Sequence, residues 1–350
     1  MSLLDMTSSA TTQSSHTRGT FLHRLWRDNP GVIIALALFV IIVPFLPSYW
    51  VRVFTSMMAV AAAAQGVAVL HERLGHVSLA GIALMAVGGW VSLRFAHAFG
   101  LPFEVNLIVA AVGSGVVGAV LGLPGIRHKG LIFALVTLMF AAGLHVVVSS
   151  IGFPDGGSGF WGRVDGSRER QMMQRPALAQ SDRAYFIYAT IIVAFAFAAT
   201  YAVLRSSAGR AWAMIRAGDT VAKSAGVKIG AARFKAFGLA GALSGIGGTL
   251  MAGSIGQLDG RSFDALQSLL LYGLVIVAGP WSLAAALIAA FLYRVFPALL
   301  DSWGIDGDVA MIIFGIALIH AIVSAPRGIA GQLQDLFSAV GTKLKGSKDD

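Results

Sequence analysis

Residues 206–237 read Ser-Ser-Ala-Gly-Arg-Ala-Trp-Ala-Met-Ile-Arg-Ala-Gly-Asp-Thr-Val-Ala-Lys-Ser-Ala-Gly-Val-Lys-Ile-Gly-Ala-Ala-Arg-Phe-Lys-Ala-Phe. With Arg205 just before it, this stretch carries Arg210, Arg216, Lys223, Lys228, Arg233 and Lys235 against one acid, Asp219. Apolar runs flank it at 185–204 and 236–256, the second rich in glycine and alanine. A hydrocarbon core about 30 Å thick takes about 20 apolar residues per helix. Both flanks meet that requirement, so the basic stretch is a loop at a bilayer surface. Loops rich in Lys and Arg stay on the cytoplasmic side. The reading is a gently amphipathic cytoplasmic loop, suited to docking a soluble partner.

The whole composition agrees. The chain is 56% hydrophobic and 12% charged, against about 45–50% and about 25% in soluble domains. Mean hydropathy is +0.76. The 42 glycines point the same way, because glycine is commoner in membrane helices than in soluble ones. The absence of cysteine excludes a disulfide framework and a thiolate metal site. A pI near 10.2 follows from the cytoplasmic bias of Lys and Arg and calls for no nucleic acid.

Apolar runs place about ten spans, near 31–48, 53–70, 77–99, 105–122, 131–151, 185–204, 236–256, 265–280, 283–300 and 309–325. The fold class is therefore all-α, a polytopic integral membrane protein. Residues 1–30 are expected to form a disordered cytoplasmic tail: their first 20 are Ser/Thr-rich and have no signal-peptide apolar core. The transmembrane domain covers 31–331, with an external loop at 152–184 and the cytoplasmic loop at 205–235. Residues 332–350 form a second cytoplasmic tail. An even number of spans puts both termini on one side. The basic loops at 71–73, 127–129 and 205–235 make that side cytoplasmic. The 152–184 loop, with five arginines, is long enough to be a small ordered cap.

Two features leave alternatives open. Gly118–Gly122, Gly241–Gly245 and Ser244–Gly248 are small residues four apart, which let helix backbones approach closely. They fit tight packing within one chain, or a dimer seam or moving gate. The segment Gly75-His76-Val77-Ser78-Leu79-Ala80-Gly81-Ile82-Ala83 is irregular for a spanning helix. Non-helical backbone at membrane depth is tolerated only inside protein or beside a cavity. The segment lines a substrate path or forms a polar helix entrance.

Catalytic motifs are missing. The sequence has no P-loop, no His-Glu-x-x-His pair and no Gly-x-Ser-x-Gly elbow. His145, Arg294 and His320 fall within apolar runs, where an ionisable side chain is a site candidate by default. Arg294 and His320 lie near span ends and can snorkel. His145 is more central.

Five stretches carry a family resemblance. They are Gly75-His76-Val77-Ser78-Leu79 with Gly81; Leu123-Pro124 through Arg127, Gly130 and Thr137-Leu138; Ser207 through Arg216 with Ala222, Ala225-Gly226 and Lys235; Pro326-Arg327-Gly328-Ile329-Ala330-Gly331; and, more weakly, Gly156-Gly157-Ser158-Gly159. In that order and spacing the chain resembles the permease subunits of branched-chain amino-acid ABC importers, of the second-permease type. Relatives of that family also carry urea, amides and aromatic acids. The chain departs from the family at Ala278-Gly279-Pro280-Trp281-Ser282, where a Gly-Gly-x-Gly-Ser loop is usual.

The resemblance implies one half of a pore for a small polar solute in a bacterial plasma (inner) membrane, with both termini cytoplasmic. It implies a homologous permease as heterodimer partner, two cytoplasmic ATPase subunits and an external substrate-binding protein. The chain would bind no cofactor; ATP and Mg²⁺ would belong to the ATPases, and this subunit would do no bond chemistry. The ATPase-coupling residues are expected at Arg210, Trp212, Ile215, Arg216, Asp219, Ala222 and Gly226. Within them, Arg210 to Ala217 forms one short helix, Asp219 or Thr220 caps a second, and Gly226 ends it left-handed. Ser78, Leu79, Thr137 and His145 are the pore-lining candidates. An ion-coupled carrier or channel is the alternative; it would want buried acids, of which the spans hold few.

Overall fold

A computed structural model of the protein describes residues 30–126, 130–157, 161–164, 171–279 and 283–305, with 309, 312, 315 and 316. The two terminal tails, nearly all of the tenth expected span and the Pro326–Gly331 motif lie outside the described residues. So do Arg127-His128-Lys129 and Ser158. The regular elements among the described residues are all helices, with no strand. In chain order the helices are α1 Pro30–Ile42, α2 Ser48–Val69, α3 Gly81–Phe99, α4 Phe103–Leu121, α5 Leu131–Ile151 and α6 Asp182–Arg205. Then follow α7 Ser207–Ala217, α8 Asp219–Ser224, α9 Ile229–Ile255, α10 Ala265–Ala278 and α11 Leu283–Ser302.

Seven of these helices are long and apolar enough to cross a membrane, and the runs at Gly31–Phe45 and Ala265–Ala278 are shorter. Each of the first nine expected spans coincides with a helix, and seven of those nine helices have the length and hydropathy of a membrane span. Two helices are the exceptions in length, α1 with 13 residues and α10. The 14 residues of α10 rise about 21 Å at 1.5 Å per residue, short of the hydrocarbon thickness of about 30 Å.

Helices α2 and α9 form the centre. Every residue from Met57 to Ala64 is fully buried (0% exposed). The small side chains of this run allow neighbouring backbones close. The same logic governs α9. A Cβ on Gly241 would lie 3.1 Å from the Gly118 Cα of α4. One on Gly245 would lie 2.6 Å from the Ala110 oxygen of α4, and one on Gly66 2.8 Å from the Ala240 oxygen. Gly247 faces Ala59 of α2, and Gly248 faces Met85 and Gly88 of α3. The small-residue pairs therefore pack α9 against α2, α3 and α4 within one chain. The seam is internal, so these glycines serve packing within the chain and not a dimer seam. Hydrogen bonds pin it: Ser114 Oγ donates to the Leu84 carbonyl at 2.7 Å, and Tyr185 Oη to the Leu250 carbonyl at 2.8 Å.

Beyond α6, α7 and α8 sit at the end of the bundle where α9 begins. The opposite end carries the segment between α5 and α6. There Arg175 donates to the carbonyls of Gly253 (3.1 Å) and Ser254 (2.9 Å) and pairs with Asp182 at 2.8 Å. The described part of that long loop is a strap tied to the far end of α9.

Candidate functional site

The loop that decides the sequence reading folds into two short helices on the bundle end. The Ser206 Oγ caps α7 by accepting from the Ala208 N–H at 3.2 Å. Gly226 ends α8 with φ +74. Its N–H donates to the Lys223 carbonyl and that of Val227 to Ala222, both at 2.9 Å. That pair of bonds is the Schellman arrangement, in which glycine takes the left-handed position without a Cβ penalty. The start of α8 differs from expectation. Gly218 occupies the cap position with no side-chain cap bond. Asp219 follows it and turns instead to Arg233.

Arg233 is the residue on which the unit closes. It is fully buried (0% exposed) near the start of α9. One amino group donates to both Asp219 carboxylate oxygens, at 2.9 and 3.2 Å. The other donates to the Gly125 carbonyl at 2.8 Å, behind α4. A buried charge is tolerated when it is paired and hydrogen-bonded in this way. On the other side, Arg216 reaches the carbonyls of His71 (2.5 Å) and Glu72 (2.7 Å). Those carbonyls belong to a single wide helical turn, Leu70–Leu74, that prolongs α2. From the same turn the His71 Nδ1 meets the Tyr272 hydroxyl of α10 at 2.9 Å.

The apolar side of α7 faces inward. Trp212 is 1% exposed and donates from Nε1 to the Ala232 carbonyl at 2.9 Å. Ile215 and Ala222 are buried with it among Leu70, Leu74, Phe133 and Phe237. The expectation that Trp212 anchors a partner directly is therefore corrected: Trp212, Ile215 and Ala222 point into this chain and fix the unit. The reason is that α7 has one apolar stripe, and the bundle end already offers an apolar surface to cover. The outward face presents Arg210, Ala213, Ala217, Thr220, Val221 and Lys223, with Gly226 at its edge.

The irregular segment 75–80 is non-helical, as expected. It starts at Gly75, φ +68, and lies inside protein: Ser78 and Leu79 are buried. The Leu79 N–H donates to Thr137 Oγ1 of α5 at 2.9 Å, and that hydroxyl donates on to the Ala134 carbonyl at 2.9 Å. The His76 ring stands edge-on to Phe133, 5.5 Å between centroids. Thus three of the four pore candidates, Ser78, Leu79 and Thr137, meet at one place. His145 does not join them, since eight residues separate it from Thr137, about 12 Å along α5. Its Nδ1 is buried and has no hydrogen-bond partner among the described residues. Sequence reasoning missed Arg233, His71 and Tyr272. Arg233 had one available signal: it is a basic residue just inside an apolar run, with a lone acid upstream. Among the described residues, no group of three or more His, Asp or Glu side chains is placed to hold a metal.

Known proteins can be set beside this geometry. Residues 49–322 match the family described as "Branched-chain amino acid transport system / permease component". Two proteins named high-affinity branched-chain amino acid transport system permease protein LivM are similar to the chain. The one from Salmonella typhimurium is 25% identical over 297 residues, 78% of this chain and 69% of that protein. The one from Escherichia coli is 26% identical over 277 residues, 72% of this chain and 64% of that protein. No solved structure matches. The family match runs from the start of α2 past the end of α11, over the central seam, the 75–80 segment and the α7–α8 unit alike, and the chain belongs to the permease components of branched-chain amino acid transport systems.

Proposed function

We propose that the chain forms half of the pore of an ATP-driven importer for a small polar solute, with branched-chain aliphatic amino acids as the first candidates. That solute class is the one named for both relatives. In this reading a homologous permease completes the pore, two ATPase subunits supply hydrolysis with their own ATP and Mg²⁺, and an external binding protein delivers the solute. The α7–α8 end faces the cytoplasm of a bacterial inner membrane, as the Lys/Arg bias favours.

The observation that supports this best is the mounting of the α7–α8 unit. Isolated helices of 11 and 6 residues are marginal alone in water, where about 12–15 residues are needed. Arg233, Arg216 and Trp212 tie them to α9, α4 and the turn after α2. A unit so tied moves with the helices it touches. A push on its exposed face therefore reaches the 70–74 turn, the adjoining 75–80 segment and, through His71 and Tyr272, α10.

An ion-coupled carrier has one observation in its favour: Glu72 is buried, and its Oε1 has no hydrogen-bond partner among the described residues. Uptake of radiolabelled L-leucine in cells, with and without the partner ATPase subunits, separates the two. The importer reading expects uptake to vanish with the ATPases. Uptake that persists and follows the proton gradient contradicts it.

A further inference from the structure

At the end of the bundle opposite α7 and α8, α9 stops at Gly256, φ +83. The chain then makes a 3-10 turn over Gly260–Phe263. Gly260 is pressed on the last turns of α5: a Cβ there would stand 3.1 Å from the Val148 oxygen and 3.2 Å from the Ser149 Cα. This contact fixes Asp259 and Arg261 on either side of it. The Asp259 Oδ1 accepts from the Arg261 backbone N–H at 3.1 Å. The Arg261 guanidinium has no hydrogen bond or ion pair among the described residues.

Facing this turn is the start of the strap. There Asp155 is 8% exposed and accepts from the Val164 N–H at 2.7 Å, with Arg163 at 3.8 Å. The rings of Phe153 and Phe263 lie 5.4 Å apart beneath. Together with Met251 and Val148 these groups line a half-open recess of about 670 Å³. That is the size of a small-molecule site, about 300–1,000 Å³.

The charges of the recess decide what it can take. Two carboxylates and two guanidinium groups line it, so a ligand of net charge gains little. A ligand carrying both signs gains twice. The aromatic and aliphatic floor rewards a branched apolar side chain by removing its surface from water. Asp155 is already engaged by Val164 and Arg163, whereas Arg261 and Asp259 are exposed. We propose that this recess is a binding site for a zwitterionic aliphatic amino acid at the mouth of the path, with Arg261 on its carboxylate, Asp259 on its ammonium and Phe153 and Phe263 under its side chain. The proposal rests on the importer function above and adds the place where this chain itself receives the solute.

The test is photolabelling of the assembled transporter in lipid nanodiscs with a diazirine analogue of leucine, followed by peptide mapping. Label is expected on peptides spanning 148–157 and 251–263. Excess L-leucine should compete it away. Leucinamide, lacking the carboxylate, and 4-methylpentanoate, lacking the ammonium, should each compete about tenfold or more worse, since hydrogen bonds to charged groups contribute about 1.5–3 kcal/mol. Arg261→Gln should weaken labelling by a similar factor and Arg261→Lys by less, with the ATPases still co-purifying in both. Label elsewhere overturns the site. Equal competition by 4-methylpentanoate, or full labelling of Arg261→Gln, overturns the zwitterion assignment. ATP hydrolysis by the same wild-type preparation reads out the importer function separately, so its failure is not mistaken for failure of the site.

Discussion

The buried guanidinium of Arg233 holds the Asp219 carboxylate at 2.9 Å, joining the first turn of α8 to the first turns of α9 across fourteen residues of chain. Arg233 is fully buried, while the Asp219 side chain is 28% exposed. Removing the acid leaves a buried cation short of its partner; removing the cation leaves an acid that water still reaches. Asp219→Ala should therefore lower the thermal stability of the purified subunit, by about 1–3 kcal/mol. Asp219→Ala combined with Arg233→Met should cost less than the sum of the two single changes. A double-mutant cycle on unfolding midpoints in detergent measures this, and strict additivity would deny that the pair is coupled.

Trp212 gives a second prediction, since its burial replaces its expected contact with a partner. Trp212→Ala opens a cavity under α7 and should cost about 3–5 kcal/mol. Trp212→Phe keeps most of the volume, loses the bond to the Ala232 carbonyl and should cost about 1 kcal/mol. In the alanine variant, limited proteolysis of the subunit alone should cut within 205–228 far faster than in the wild type. If cutting is unchanged and only ATPase retention falls, Trp212 touches the partner after all.

The relation between Thr137 and Leu79 supplies a third. Thr137→Val keeps the shape but deprives a buried N–H of its acceptor, at about 1–3 kcal/mol. Thr137→Ser should restore the bond. Hydrogen exchange at residues 75–80 should speed up in the valine variant and return towards normal in the serine variant. Identical exchange in all three proteins would show that the irregular segment is held by other contacts.

How much of this was legible beforehand follows from the range of each interaction. Span limits read from hydropathy fall within about five residues of α2 to α6, because the bilayer imposes its length locally on each run; α9 begins at Ile229, inside the expected loop, because its first two turns are amphipathic and carry Arg233 and Lys235. The end of the second short helix was legible from Gly226, whose role is set by backbone geometry within a few residues; the first begins at Ser207, three residues before the expected Arg210, under the Ser206 cap. The direction in which α7 faces was not legible. Its apolar stripe suits a partner's groove as well as the chain's own surface, and the choice depends on Leu70, Phe133 and Phe237, which the fold brings from elsewhere. The His71–Tyr272 contact joins residues 201 apart, and nothing local marks either. Ser78, Leu79 and Thr137 each stand out as an oddity in their own segment and come together in the fold; His145 is equally odd and lies two turns away.

Orientation yields a fourth prediction. The chain has no cysteine, so single cysteines report without background. Leu178, 92% exposed on the strap, should label from outside intact cells as Leu178→Cys. Ser224→Cys, on α8, should label only after the membrane is opened. The reverse pattern would invert the topology and remove α8 from the cytoplasm.

The central claim is that the exposed face of α7 and α8 is where the ATPases act. A photo-crosslinking amino acid at Val221, which is 52% exposed in the middle of α8, tests it most directly in the intact assembly. The account predicts a crosslinked product containing this chain and an ATPase subunit, its yield changing between nucleotide-free and ATP-bound states. A Val221 probe that crosslinks only lipid in both states, while the ATPases remain bound, would contradict it.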